Sequence, residues 1–174
     1  MGRYVRARVA GGTWFFTVVT AGRRRWLAST QGLDAFRSSY RDVAKDQPFE
    51  TVAMVVLPDH LHCIWRLPVG DDDFSRRWQR IKRRTTGKMR RQGMTGAFWQ
   101  ARFWEHLIRD ERDLRMHLDY VHYNPVRHGL VGKAAEWSAS SIHRYIRDGW
   151  YSPDWGIADP EDLEATVLAN GGDL

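Results

Sequence analysis

The chain has 174 residues, 43% of them hydrophobic and 28% charged, a length and balance that suit one compact globular domain. No apolar run approaches the roughly 20 residues needed to span a bilayer, the first residues lack the apolar stretch of a signal peptide, and the single cysteine, Cys63, excludes an intramolecular disulfide. Those features argue against a membrane-spanning or disulfide-stapled protein and for a cytoplasmic one, while the formal charge of +6 points to a polyanionic partner.

Gly11-Gly12 precedes residues 13–20, rich in β-branched and aromatic side chains, which predict a strand. Arg23, Arg24 and Arg25 follow in a basic turn. Leu33, Phe36, Tyr40, Val43 and Ala44 recur at helical spacing, and Pro48 closes that helix. Residues 49–57 and 60–67 predict a second and a third strand, joined tightly at Pro58-Asp59. Asp71, Asp72 and Asp73 stand where they can cap a helix over residues 74–91 and complement its dipole; Gln92-Gly93 and Gly96 break it. Residues 98–108, with Phe98, Trp99, Phe103 and Trp104, read as extended. Asp110 opens a helix with Leu114, Leu118 and Val121 on one face. Asn124-Pro125 is expected to stop it, because the residue before a proline is pushed away from the helical region. A short helix fits residues 138–146. The order β-α-β-β-α-β-α predicts an α+β, ferredoxin-like sandwich, a central antiparallel sheet with two helices on one side.

Charge is unevenly placed. Nine of the 27 Lys and Arg residues fall between positions 76 and 91, namely Arg76, Arg77, Arg80, Lys82, Arg83, Arg84, Lys88, Arg90 and Arg91, with no acid among them. These nine residues are the expected surface for a polyanion such as nucleic acid, with a solvated helix face as the other reading. Beyond Arg147 stand seven acids and no Lys or Arg. The expected division is a body over residues 1–150 and an acidic tail over 151–174 that restrains the protein by competing with its polyanion.

The residues that bear chemistry form two groups. Along a strand, His60 and His62 point the same way while Leu61 and Cys63 face the other, and two adjacent imidazoles can bind a divalent metal. Four apart on a helix, Tyr120 and Asn124 share a face, with Tyr123 turned about 100° from Asn124. The amide oxygen can be a third metal ligand and the phenol can attack. Without the histidines, the same pair reads as a core tyrosine near a helix end capped by Asn124.

Four blocks, in order, resemble the REP-associated tyrosine transposases, relatives of the single-tyrosine HUH transposases. They are Gly11-Gly12-Thr13-Trp14-Phe15-Phe16-Thr17, Leu57-Pro58-Asp59-His60-Leu61-His62-Cys63-Ile64-Trp65, Phe98-Trp99-Gln100-Ala101-Arg102-Phe103-Trp104-Glu105-His106, and Asp119-Tyr120 through Asn124-Pro125-Val126-Arg127-His128-Gly129. The resemblance implies the HUH nuclease fold, His60 and His62 as the metal pair, Asn124 as third ligand, and Tyr120 as nucleophile. It also implies a hairpin substrate, the palindromic REP element with a short conserved tetranucleotide beside it. Glu105 and His106 are expected, at most, to stand behind the ligands, and Trp14, Trp65 and Trp99 to pack.

The chemistry fits those residues. A phenol with a pKa of about 10 is a poor nucleophile at neutral pH. Mg²⁺ or Mn²⁺ on two imidazoles and an amide keeps open positions for phosphate oxygens and stabilises charge there. Attack on phosphorus leaves a 5′-phosphotyrosine and a free 3′-OH, and a second 3′-OH can reverse the step. No P-loop is present, so no nucleotide cofactor is expected. The expected function is a metal-dependent single-strand DNA endonuclease and strand transferase, with a monomer slightly favoured. Two other readings stand beside it: a non-catalytic single-stranded nucleic-acid-binding module, and a hydrolytic metallonuclease that activates water.

Overall fold

The computed structural model describes residues 9–156. Strands β1 (Thr13–Val19), β2 (Glu50–Val56), β3 (His60–Arg66) and β4 (Trp104–Leu107) form one antiparallel sheet in the order β2-β3-β1-β4. Helix α1 (Thr30–Asp46) follows β1, and α2 (Phe74–Arg91) follows β3, which is the expected α+β, ferredoxin-like arrangement. Asp73 caps α2, accepting the Arg76 N–H at 3.0 Å. Gly32, in the first turn of α1, lies so close to the preceding loop that a Cβ there would sit 2.1 Å from the Trp26 carbonyl oxygen.

Alternation builds a core on each side of the sheet. Trp14, Phe16 and Val18 of β1 join Leu61, Cys63 and Trp65 of β3 on one side, against Phe36 and Val43 of α1 and Trp78 and Ile81 of α2. Phe15 and Ile64 face the other side and meet Leu118, Tyr120 and Val121 of α3 (Glu111–Arg127). The two central strands are buried on both faces over nearly their whole length, so the His60 and His62 side chains of β3 are buried as well.

Three boundaries depart from expectation. The segment 98–108 is a strand only over Trp104–Leu107. Phe98 and Trp99 instead pack edge-on against Trp26, with ring centroids 5.4 and 5.1 Å away, and Thr20 makes an isolated bridge to Trp99. Helix α3 does not stop at Asn124; it runs through Pro125 to Arg127. A proline disfavours but does not forbid a helical predecessor, and both Asn124 and Pro125 are buried in the packed turn. The end comes at Gly129, with φ +64°. There the Gly129 and Leu130 N–H groups bond the Val126 and Pro125 carbonyls at 2.8 and 2.9 Å, closing the helix around a left-handed glycine. Helix α4 is limited to Ile142–Arg147, because the residues before it bond to the outer edge of β2, where Ser140 makes an isolated bridge to Val55. The Val56 N–H donates to the Ala139 carbonyl and the Ser141 N–H to that of Met54, satisfying an otherwise bare sheet edge.

Candidate active site

Strand β3 presents His60 and His62 on the face covered by α3, with ring centroids 5.0 Å apart. His60 Nδ1 lies 2.7 Å from Asp59 Oδ1, and His62 Nδ1 lies 2.9 Å from Oγ1 of Thr17, its register partner on β1. Each ring is oriented through Nδ1, which directs Nε2 toward any ligand. His62 Nε2 is buried and lacks a hydrogen-bond partner among the described residues. Burial, reinforced by repulsion from His60, His128 and Arg127, pushes the His62 imidazole well below its ordinary range, favouring the neutral form that can ligate. Burial would raise the Asp59 carboxyl, but the hydrogen bond and charge of His60, with those of Arg23, outweigh it and keep the carboxyl low.

Helix α3 brings Tyr120 and Asn124 to the same side. Tyr120 is 2% exposed, with its ring 5.1 Å from His62 and 6.0 Å from Phe15. Its hydroxyl oxygen accepts a hydrogen bond from Arg127 Nη1 at 3.0 Å. One turn further on, Asn124 is fully buried, and neither its amide oxygen nor its nitrogen has a partner among the described residues. A buried imidazole nitrogen and a buried amide oxygen, neither with a partner among the described residues, are donors whose chemistry fits a divalent cation. Tyr123 points elsewhere, its ring 6.4 Å from that of Trp155. Cys63 is buried on the opposite face of β3.

The nine cations of α2 do not form one free surface. Arg77 is 2% exposed and turned inward. It donates to both oxygens of Asp71, at 2.9 and 2.6 Å, and to the carbonyls of Gln47, Pro48 and Asp73, so it is a structural residue and not a contact for a polyanion. Arg80, Arg84 and Lys88 pair with Asp46 and Asp42 of α1 at 2.7, 2.9 and 3.3 Å. The counter-charge absent from the α2 sequence thus comes from the neighbouring helix. Lys82 donates to the Gln100 carbonyl. Arg76, Arg83, Arg90 and Arg91 are exposed. Because α2 and α3 cover opposite faces of the sheet, the basic helix lies across the sheet from the histidines and tyrosine. Among the described residues, Arg127 and Arg23 are cations at the site itself, the latter 3.4 Å from Asp59.

A second cluster escaped the sequence reading. His106 of β4 and Asp113 and His117 of α3 place one ligand atom each within 4.8 Å of one another, a group that could hold a metal ion. Several of its atoms are already hydrogen-bonded, while His117 Nε2 is buried without a partner among the described residues. Asp113 Oδ2 lies 2.9 Å from His106 Nε2 and accepts from the Arg109 backbone N–H at 3.0 Å, while His117 Nδ1 donates to the Asp113 carbonyl at 2.8 Å. The imidazoles stack with centroids 4.7 Å apart. The i,i+4 spacing of Asp113 and His117 was the available signal; the contribution of His106 requires the fold. Glu105, the next residue back on β4, is buried opposite Phe16 on the other face of the sheet.

Of the acidic tail, residues 157–174 lie outside the described residues. The segment leading to them packs on α3. Tyr151 is buried and donates to Asp119 Oδ1 at 2.6 Å, and the Trp155 ring lies 4.3 Å from that of Tyr151. No helix among the described residues is long and apolar enough to cross a membrane.

Comparison with known proteins meets this geometry from another direction. The family model described as transposase IS200-like matches residues 13–124. The chain is 47% identical to the REP-associated tyrosine transposase of Escherichia coli K12, over 95% of this chain and 96% of that protein. A solved structure of a REP-associated tyrosine transposase bound to a REP hairpin superposes with a TM-score of 0.82, at 46% identity, covering 91% of this chain and 94% of that one. The chain therefore belongs to the IS200-like transposases and, within them, to the REP-associated tyrosine transposases.

Proposed function

We propose that this transposase cuts and rejoins single-stranded DNA beside a REP-type hairpin, with Tyr120 as the nucleophile and His60, His62 and Asn124 as holders of a Mg²⁺ or Mn²⁺ ion. What supports the reading is the Tyr120 ring 5.1 Å from that of His62, together with a buried His62 Nε2 and a buried Asn124 amide that lack partners among the described residues, Asn124 sharing the Tyr120 face of α3 by its i,i+4 spacing. When bound, the cation would supply charge stabilisation and alignment at the scissile phosphate. Asp59 and Thr17 orient the two imidazoles. The phenolic oxygen forms a bond to phosphorus as the bond to O3′ breaks. The phenolic proton is given up to water, O3′ takes a proton, and the products are a 5′-phosphotyrosine and a 3′-OH. Attack by another 3′-OH on that phosphotyrosine releases Tyr120 and reseals the strand. The His106–Asp113–His117 group is the weaker metal candidate, because His106 Nε2 and the Asp113 carboxylate are committed to each other, although His117 Nε2 is buried and unpartnered among the described residues. The exposed cations of α2 hold DNA phosphates away from the cut.

The test is incubation of the full chain with a labelled DNA hairpin carrying single-stranded flanks, with MgCl₂ or MnCl₂. A denaturant-stable protein–DNA adduct is expected from the wild type and from Tyr123→Phe, and none from Tyr120→Phe, which binds DNA normally. Cleavage without an adduct would instead indicate hydrolysis by activated water.

A further inference from the structure

We propose that Arg127 is a catalytic residue of this reaction, holding the attacking oxygen of Tyr120 and neutralising charge on the phosphorus as the bond forms. The inference rests on Tyr120 being the nucleophile. Its first support is contact with the reacting atom, since Arg127 Nη1 is 3.0 Å from the Tyr120 hydroxyl oxygen. A second is placement: the Arg127 guanidinium carbon lies 5.6 Å from the centroid of the Tyr120 ring. The reach depends on the unexpected course of α3. Seven residues at about 100° each return to within about 20° of the same direction, so Arg127 shares the Tyr120 face only because the helix continues through Pro125. Side chains on a helix lean toward its N-terminus, which carries an arginine back toward a tyrosine two turns earlier. Had the helix stopped at Asn124, this contact would not exist.

The chemistry suits a guanidinium. In an in-line displacement, the non-bridging oxygens of the pentacoordinate phosphorus crowd around the attacking oxygen. A donor already hydrogen-bonded to that oxygen is therefore beside the developing negative charge before the reaction begins. Arginine carries five N–H groups in a fixed fork, so one side chain can touch both the phenolic oxygen and a phosphate oxygen. The glycine-closed helix end directly after Arg127 fixes the backbone from which it reaches.

The experiment measures single-turnover cleavage of the same hairpin at saturating protein for Arg127→Ala, Arg127→Lys and Tyr120→Phe, with DNA affinity and thermal melting alongside. Removing one preorganised donor from a transition state typically slows a reaction about 10²–10³-fold. Arg127→Ala is expected to lose that much in cleavage rate while DNA affinity changes by no more than about threefold, a split between chemistry and binding. Millimolar guanidinium should restore part of the Arg127→Ala rate, and Arg127→Lys should retain an intermediate one. Cleavage by Arg127→Ala at the wild-type rate overturns the proposal. So does a slowed variant that guanidinium does not help, since the side chain would then serve structure alone. An adduct formed by Tyr120→Phe would instead overturn the nucleophile assignment and leave the role of Arg127 in the fold untouched.

Discussion

Replacing Arg77 by methionine separates a structural cation from a DNA contact on the same helix. Arg77 makes five hydrogen bonds from a buried position, to the Asp71 carboxylate and three carbonyls. Methionine keeps the stem but strands those acceptors. Removing one partner of a buried ion pair costs about 3–5 kcal/mol. The Asp71 side chain is 32% exposed and recovers some hydration, which places the loss near the lower end, about 3 kcal/mol. At about 2–4 °C per kcal/mol for a chain of this size, the melting temperature should fall about 6–12 °C. Circular dichroism in thermal scans provides the measurement. The pH dependence has a definite sign. The Arg77 hydrogen bond, with lesser help from the Asp73 N–H and the Arg77 charge, holds the Asp71 carboxyl below its usual range. The pair therefore stabilises above the ordinary carboxylate pKa of about 4, and this stabilisation is lost as pH falls through the lowered native value. The gap between wild type and Arg77→Met should narrow in acid. The salt dependence of DNA binding should not change, because no exposed charge is removed. A melting temperature within about 2 °C of wild type, or a shallower salt dependence, would refute the assignment.

Other consequences can be checked in parallel. Thr17→Val removes the hydroxyl that orients His62 and should weaken Mn²⁺ about 10–100-fold, read from a metal titration of cleavage and from calorimetry. Asp113→Asn should lower the melting temperature and leave the Mn²⁺ titration unchanged; a displaced titration would move the metal to the His106 cluster. Arg83→Glu with Arg90→Glu, exposed members of α2, should weaken binding to all sequences alike and lower the salt slope by at least about 1.4, at about 0.7 per neutralised phosphate on a single strand; an unchanged slope would exclude α2 from the interface. Truncation after Gly156 retains Tyr151 and Trp155, which pack on α3, and removes the rest of the acidic tail. If the tail restrains the enzyme, the shortened chain binds DNA more tightly and cleaves faster at low salt, and equal values would show it has no such role.

Much of the site was already written in local sequence. Period-two alternation places His60 and His62 on one face whatever surrounds β3, and i,i+4 spacing does the same for Tyr120 and Asn124. The bounds of α2 were equally legible, because its aspartate cap and the glycines beyond it act within a few residues. Tertiary structure alone decided what depends on contacts between distant segments. Which α2 cations are free follows from Asp42 and Asp46, carried on α1. That Arg77 faces inward follows from the Gln47 and Pro48 carbonyls, some thirty residues earlier. The His106–Asp113–His117 group exists because β4 and the start of α3 fold against each other. The reading of Asn124-Pro125 as a helix stop weighed a backbone preference by itself, whereas in the folded chain the buried turn outweighs that preference and carries α3 on to Arg127. Periodicity states which side chains share a face; only the packed protein determines what that face meets, because burial and electrostatic pairing are properties of neighbours the local sequence does not contain.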